Sequence, residues 1–295
     1  MPQKNKTGLF VSLPGIVWLT LLFLIPTLII VVYSFLTPGI YGGAALPLSF
    51  KSYSTMLSNP GFWLLLWKTT YISVIATLIT LILALPISYY IATSKNKNFL
   101  LMLIIIPFWT NFLVRVFGWM VVLGRNGLVS WFLNFLRITE NPESFMYRPS
   151  TVILVIVYMY LPYMILPIYS SIEKFDFSLL EAAMDLGSTK LKALWKIMIP
   201  SIKGGIIAGI ILVLIPALGS YAIPELVGGK DGAMLGNLIA RQLTVARNWP
   251  SSSAISMIFL LISALGLLVY LRIANIQYKR QKTYEDYISN NGESI

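Results

Sequence analysis

The chain has 295 residues, of which 57% are hydrophobic and 11% charged, against about 25% charged in an ordinary soluble domain. A soluble fold of this length has too little interior to hide so much apolar surface, so the composition points to the bilayer as solvent. The 22 Lys and Arg outnumber the 11 Asp and Glu but lie mainly between apolar runs, which suits topology and anionic headgroups rather than nucleic acid; the lack of Cys and His excludes thiolate or imidazole metal sites and Ser-His or Cys-His catalysis.

With about 20 apolar residues as the length that crosses the hydrocarbon, six spans follow in order: 13–36, 63–93, 99–124, 150–172, 204–223 and 251–275. Lys4 and Lys6 precede the first, which is too long for a signal-peptide core and reads as a retained span after a cytoplasmic segment 1–12. Pro26, Pro86, Pro107, Pro162, Pro167 and Pro216 fall inside spans, where neighbouring helices or water must re-satisfy the backbone. Lys95 and Lys97 in the very short 94–98 loop set an N-in, C-in orientation. The fold class is therefore an all-α integral membrane protein: a body over 13–275 and a polar cytoplasmic tail over 276–295. Helical spacing in 127–138 and 233–249 predicts two short amphipathic helices in the outer loops, and Trp63, Trp67, Trp131 and Trp249 fall near outer boundaries.

One segment breaks the pattern, LLEAAMDLGSTKLKALWKIMIPSI, from Leu179 to Ile202. Ser178 and Glu181 have capping-box spacing. Gly187 suits the left-handed position that ends a helix. Ser188 is placed to cap a second helix, with Leu191, Leu194, Trp195 and Met198 on one side and Pro200 to stop it. The amphipathic pattern by itself favours a helix pair resting on lipid. The spacing of Glu181-Ala182-Ala183, Gly187, Ile197 and Ile199-Pro200 resembles the EAA loop of ABC importer permeases, with Ile where that motif has Leu before the proline. The segments IPFWTNFLVRVFGW (106–119), LPYMILPIYSSIEKFD (161–176) and IPALGSYAIPELVGG (215–229) are similar to the PotB-type permease family of spermidine/putrescine importers.

That resemblance implies a type I ABC importer permease (MetI-like) fold in the bacterial cytoplasmic membrane, with polyamines as cargo. It implies a coupling loop over 173–203 in which Glu181, Ala182, Ala183, Gly187, Ile197 and Pro200 meet a cytoplasmic ABC ATPase. The implied partners are two ATPase copies, a second homologous permease and an extracytoplasmic polyamine-binding protein. The chain has no G-x-x-x-x-G-K-[ST] loop, so the energy source is a separate protein; no cofactor is expected and the chain is not itself an enzyme.

Candidates for a substrate pathway are the polar and aromatic groups within or beside the spans. Asn111 and Arg115 lie four apart in the third span among Phe108, Trp109, Phe112, Phe117 and Trp119, and an intramembrane Arg is either functional or paired. The fifth span is interrupted by Pro216, Gly219 and Pro224 before Glu225. With Tyr221, Glu225 offers an ammonium group a carboxylate worth about 4 kcal/mol at 4 Å and an effective dielectric near 20, plus about 0.5–2 kcal/mol of cation–π attraction. The structural alternative is that Glu225 pairs with Arg115, Arg241 or Arg247. Tyr160 and Tyr163 in the fourth span are packing anchors or stacking partners. The pathway set is thus Trp109, Asn111, Tyr160, Tyr163, Tyr221 and Glu225. An ABC permease for another small solute is the alternative. A secondary transporter is disfavoured by the lack of mid-span carboxylates, and a membrane enzyme by the lack of an acidic metal cluster.

Overall fold

The computed structural model describes residues 6–136 and 145–266, with the single positions 268 and 272. Lys4, residues 137–138, most of the final stretch of the sixth span and the tail 276–295 lie outside the described residues. The contacts divide the chain into two units, Met1–Trp63 with Leu238–Ile262 and Leu64–Asn237 with Ser263–Ile295.

Apolar runs become helices because lipid offers nothing to receive a backbone N–H or C=O. In the first unit, α1 (Lys6–Ser34) is followed by a hairpin of β1 (Leu36–Pro38) and β2 (Ala44–Leu48), then by α2 (Lys51–Leu57). The hairpin is a small addition to the all-α architecture. It is antiparallel, with Thr37 opposite Ala45 and Pro38 opposite Ala44, and its turn uses Gly42 and Gly43 at positive φ. Tyr53 donates its hydroxyl to Ser34 Oγ at 2.8 Å, and Phe35 packs on the rings of Phe50 and Tyr53. The Gly43 N–H donates to the Arg247 carbonyl at 2.7 Å, and Tyr33 meets Trp249 with ring centroids 5.7 Å apart. None of the most apolar window of α1 is buried, and Leu19 and Phe23 are each 69% exposed. Such a surface has to be covered by lipid or another chain.

The chain continues through α3 (Pro60–Thr93), α4 (Lys97–Ile105), α5 (Phe112–Leu123), α6 (Leu128–Phe135) and α7 (Pro149–Glu173). Then come α8 (Ser178–Asp185), α9 (Lys190–Ala193), a π turn at Leu194–Met198, α10 (Ile199–Ser201) and α11 (Lys203–Leu218). A second π turn at Pro224–Gly228, α12 (Leu235–Thr244) and α13 (Trp249–Gly266) complete it. Among the described residues five helical stretches are long and apolar enough to cross a membrane. The bent pair Lys190–Ser201 and Lys203–Leu218, meeting at 71°, brings the count to six. The two predicted outer-loop helices appear as α6 and α12.

The third span, expected as one helix over 99–124, is broken. α4 runs into a 3₁₀ turn at Ile106–Trp109, Thr110 is extended, and the Asn111 side chain accepts the Leu113 N–H at 2.8 Å to start α5. Pro107 supplies no N–H, and Asn111 offers the freed backbone an N-cap, so breaking costs less than continuing. The fifth span, expected to reach 223, ends as a helix at Leu218.

The second unit is built on α7. Its N-terminal half, through Val152, Val155, Ile156 and Met159, packs with Ile72, Ala76, Val116, Ile223, Val227 and Met234. Its other half, through Met164, Ile165, Ile168 and Ile172, packs with Ala84, Ile91, Met198, Ile202 and Val213. In lipid this burial is not relief from water; what it gains is close packing. Gly205 and Gly209 of α11, spaced G-x-x-x-G, supply that closeness. A Cβ at 205 would lie 2.5 Å from the Pro167 carbonyl oxygen, and one at 209 would lie 2.7 Å from Met164 Sδ. The buried Ser88 of α3 donates to the Ile165 carbonyl at 3.2 Å. Thr77 and Thr80 bond carbonyls one turn back, so these two buried hydroxyls cost little, whereas Ser73 Oγ of the same helix is buried without a hydrogen-bond partner.

Candidate functional site

The first candidate site is the loop between α7 and α11. The two expected short helices are present, but both are capped by other residues. Phe177, not Ser178, is the residue before α8, and it makes no side-chain cap. Asp176 does that work: its Oδ1 accepts the Ser178 N–H at 3.0 Å. Hydrogen bonds from the Ser178 hydroxyl and then from its N–H hold the Asp176 carboxyl below the ordinary carboxylate range. Glu181 is therefore free of a capping box and stands exposed in the first turn. Thr189, not Ser188, caps α9, accepting the Lys192 N–H at 3.4 Å. In each case the reciprocal partner sits one or two residues from the expected position, within the usual shift of helix ends.

Gly187 has φ +84°, as expected for a left-handed stop. Its N–H reaches the Met184 carbonyl at 2.9 Å and the Ser188 N–H reaches the Ala183 carbonyl at 3.0 Å, the paired bonds of a Schellman motif. Pro200 does not stop the second helix. The Ile199 N–H bonds the Leu194 carbonyl, five residues back, and this widened turn lets Pro200 sit in the first turn of α10. Ile202, non-helical with φ −91° and ψ 9°, then makes the corner into α11.

The loop has an inner and an outer face. Leu180, Ala193 and Met198 are buried with Ala183, Leu194 and Ile197 packed against them. Glu181, Ala182, Gly187 and Pro200 are exposed, as are Leu186 at 89% and Leu191 and Trp195 beside them. Of the candidate coupling residues, Ala183 and Ile197 thus hold the loop to the body, while the others face outward. Lys97 Nζ meets Glu173 Oε1 at 2.7 Å, tying the start of α4 to the end of α7 where the loop leaves it. Lys190 Nζ stands 5.9 Å above the Tyr89 ring, joining α9 to α3.

The second candidate site lies at the opposite half of α7. The Tyr160 and Tyr163 rings are 6.0 Å apart, Tyr163 meets Phe108 edge-on at 5.0 Å, and the Arg115 guanidinium stands 5.3 Å over Phe108. A pocket of about 400 Å³ opens beside them, lined by Thr110, Val114, Arg115, Gly118, Trp119, Val122 and Tyr158. None of the expected pathway residues lines it. The Oδ1 of Asn111 is committed as a helix cap, and Trp109 is 84% exposed. Arg115 Nε is buried without a hydrogen-bond partner.

Tyr221 and Glu225 do come together, through a residue the sequence did not single out. Asn237, 3% exposed in the first turn of α12, donates Nδ2 to Glu225 Oε2 at 2.5 Å and to the Tyr221 carbonyl at 3.3 Å. Its Oδ1 accepts the Met234 N–H at 3.0 Å. The next N–H, of Leu235, donates to Thr69 Oγ1 of α3 at 2.8 Å. The carboxylate expected to find either a cargo or an arginine is thus held by a neutral amide. The ion pair among the described residues, Lys97–Glu173, belongs to the far end of α7. Of the features the sequence reading passed over, the G-x-x-x-G of α11 was legible as spacing. Asn237 carried only the weak signal of a polar residue in an amphipathic helix.

The described helices make a multi-span body with an exposed two-helix loop between two of its spans, the architecture of a membrane permease. Residues 61–283 match the family described as the binding-protein-dependent transport system inner membrane component, and the chain belongs to that family: it is a multi-pass inner-membrane permease subunit of an ABC importer. It is 38% identical over 265 residues to the spermidine/putrescine transport system permease protein PotB of Escherichia coli K12, covering 89% of this chain and 96% of that one. It is 36% identical over 286 residues to PotB of Salmonella typhimurium strain SL1344, covering 96% and 99%. A solved bacterial ABC transporter that imports the acidic polysaccharide alginate shares the fold. The TM-score is 0.75 at 16% identity, over 92% of this chain and 96% of that chain.

Proposed function

We propose that this permease conducts polyamines, with spermidine and putrescine as the cargo class. The observation that carries the proposal is the setting of Glu225: an exposed carboxyl group oriented by an uncharged amide rather than by an arginine is open to a cation. The similarity to PotB proteins supports the same cargo. In this reading Tyr221 and Glu225 receive an ammonium group, and Tyr160, Tyr163, Trp109 and Asn111 line the way beyond them. The orientation is N-in and C-in, with residues 13–275 as the transporting body and 276–295 as a cytoplasmic tail. The loop 173–203 couples to two copies of a cytoplasmic ATPase through Glu181, Ala182, Gly187 and Pro200, with Ala183 and Ile197 fixing it from behind. A second homologous permease completes the passage, and an extracytoplasmic polyamine-binding protein delivers the cargo.

The test is uptake of labelled spermidine and putrescine by the full assembly. Glu225→Gln should assemble, retain its ATPase and lose most uptake. Unlabelled polyamines should compete, and sugars, phosphate and ferric iron should not. Undiminished uptake in Glu225→Gln removes Glu225 from the pathway.

A further inference from the structure

We propose that Asn237 is a positioning residue for transport: it fixes the Glu225 carboxylate in one orientation and leaves its second oxygen for the passing cation. The proposal rests on the reading of Glu225 as a cargo contact and goes one residue further. Every hydrogen-bonding atom described for the Asn237 side chain is engaged. Nδ2 serves Glu225 Oε2 and the Tyr221 carbonyl, and Oδ1 serves the Met234 N–H. The residue is buried, while Glu225 and Tyr221 are exposed. The amide therefore faces inward as a bracket and presents the carboxylate outward.

The bracket is itself anchored. The start of α12 is pinned to α3 by the bond from Leu235 N–H to Thr69 Oγ1, and the same Thr69 hydroxyl donates to the Leu65 carbonyl. Glu225 sits in a π turn that begins at Pro224, and its own N–H bonds the Tyr221 carbonyl at 3.0 Å. Backbone and side chain of Glu225 are thus held from two directions, and the Tyr221 carbonyl is shared between them. A free Glu side chain would spend rotamer entropy each time it met a cargo, and a guanidinium in place of the amide would cancel its charge. Asn is a residue that supplies orientation without compensation.

The test is a four-strain cycle in the complete importer: wild type, Asn237→Leu, Glu225→Gln and the double variant. Each is assayed for labelled spermidine and putrescine uptake at a polyamine concentration high enough to register residual transport, and for co-purification with the ATPase. Asn237→Leu should co-purify normally and lose about tenfold in uptake. In the Glu225→Gln background the same change should alter uptake by less than about twofold, because Asn237 acts only through a charge which that background lacks. If Asn237→Leu lowers uptake by the same factor in both backgrounds, or fails to assemble, Asn237 serves the fold and the proposal is overturned. If Glu225→Gln alone transports like wild type, the reading of Glu225 falls instead, whatever Asn237 does.

Discussion

Gly205 lies so close to Ser171 that a Cβ built on it would overlap the serine Oγ, whereas one built on Gly204 would meet nothing within 4 Å. Two adjacent glycines thus differ wholly in what they do. Gly205→Ala should force α11 off α7 and cost about 1–3 kcal/mol, the range for overpacking a close-packed contact. Gly204→Ala should be neutral or slightly stabilising. Thermal melts of the detergent-solubilised complex measure the difference, and equal melting of the two variants would refute the seam.

At Gly187 the reason for glycine is conformational. Its φ of +84° is costly for a side chain, yet the space around it is open. Gly187→Val should therefore cost about 1–3 kcal/mol by backbone strain alone, and Gly187→Asn markedly less, since Asn tolerates the left-handed region. If the loop couples to the ATPase as proposed, co-purification and uptake should follow the order Gly, Asn, Val. Normal values for Val would remove the loop from the coupling path.

Asp176 gives the loop a pH dependence of known sign. Its folded carboxyl is held below its ordinary value by the Ser178 hydroxyl and N–H. Its contribution to α8 is therefore complete above the ordinary carboxylate pKa and is lost as pH falls through the depressed value. Amide exchange at Ser178 and Leu179 should accelerate as pH drops below about 4, beyond the intrinsic trend. Asp176→Asn should abolish that excess, and Ser178→Ala should move it to higher pH.

The Lys97–Glu173 pair should matter little to stability. Both side chains are nearly half exposed, and solvent screens such pairs so that they contribute little. Lys97→Met should shift the melting temperature by no more than a degree or two, less in high salt. A loss of several degrees would mean that the pair, with the Tyr169 hydroxyl that also bonds Glu173, is a structural lock.

What the sequence made legible was whatever depends on near neighbours. Apolar runs located the crossings, and Gly187 announced its own backbone conformation. The break at Thr110 and Asn111 was hidden because hydropathy averages over a window and a proline with an N-cap four residues later leaves that average unchanged. The caps were misplaced by one or two residues because Asp176, Ser178, Ser188 and Thr189 all have side chains fit for the task. Asn237 was illegible for a different reason. Its meaning depends on Glu225 and Tyr221 in another segment, and the helix start it occupies is pinned by Thr69, far back in the chain.

The π turn before Pro200 sets a constraint on how this chain can vary. A π turn is an α-helical turn holding one residue more than the α pattern allows, and only α10 and a single non-helical residue, Ile202, separate it from α11. Removing or adding a residue between Gly187 and Ile202 turns everything downstream by about 100° about the helix axis. Gly205 and Gly209 would then swing away from Pro167 and Met164, and bulkier side chains would take their place. Substitutions in this stretch can be absorbed one at a time; insertions and deletions cannot, so its length is held more strictly than its letters.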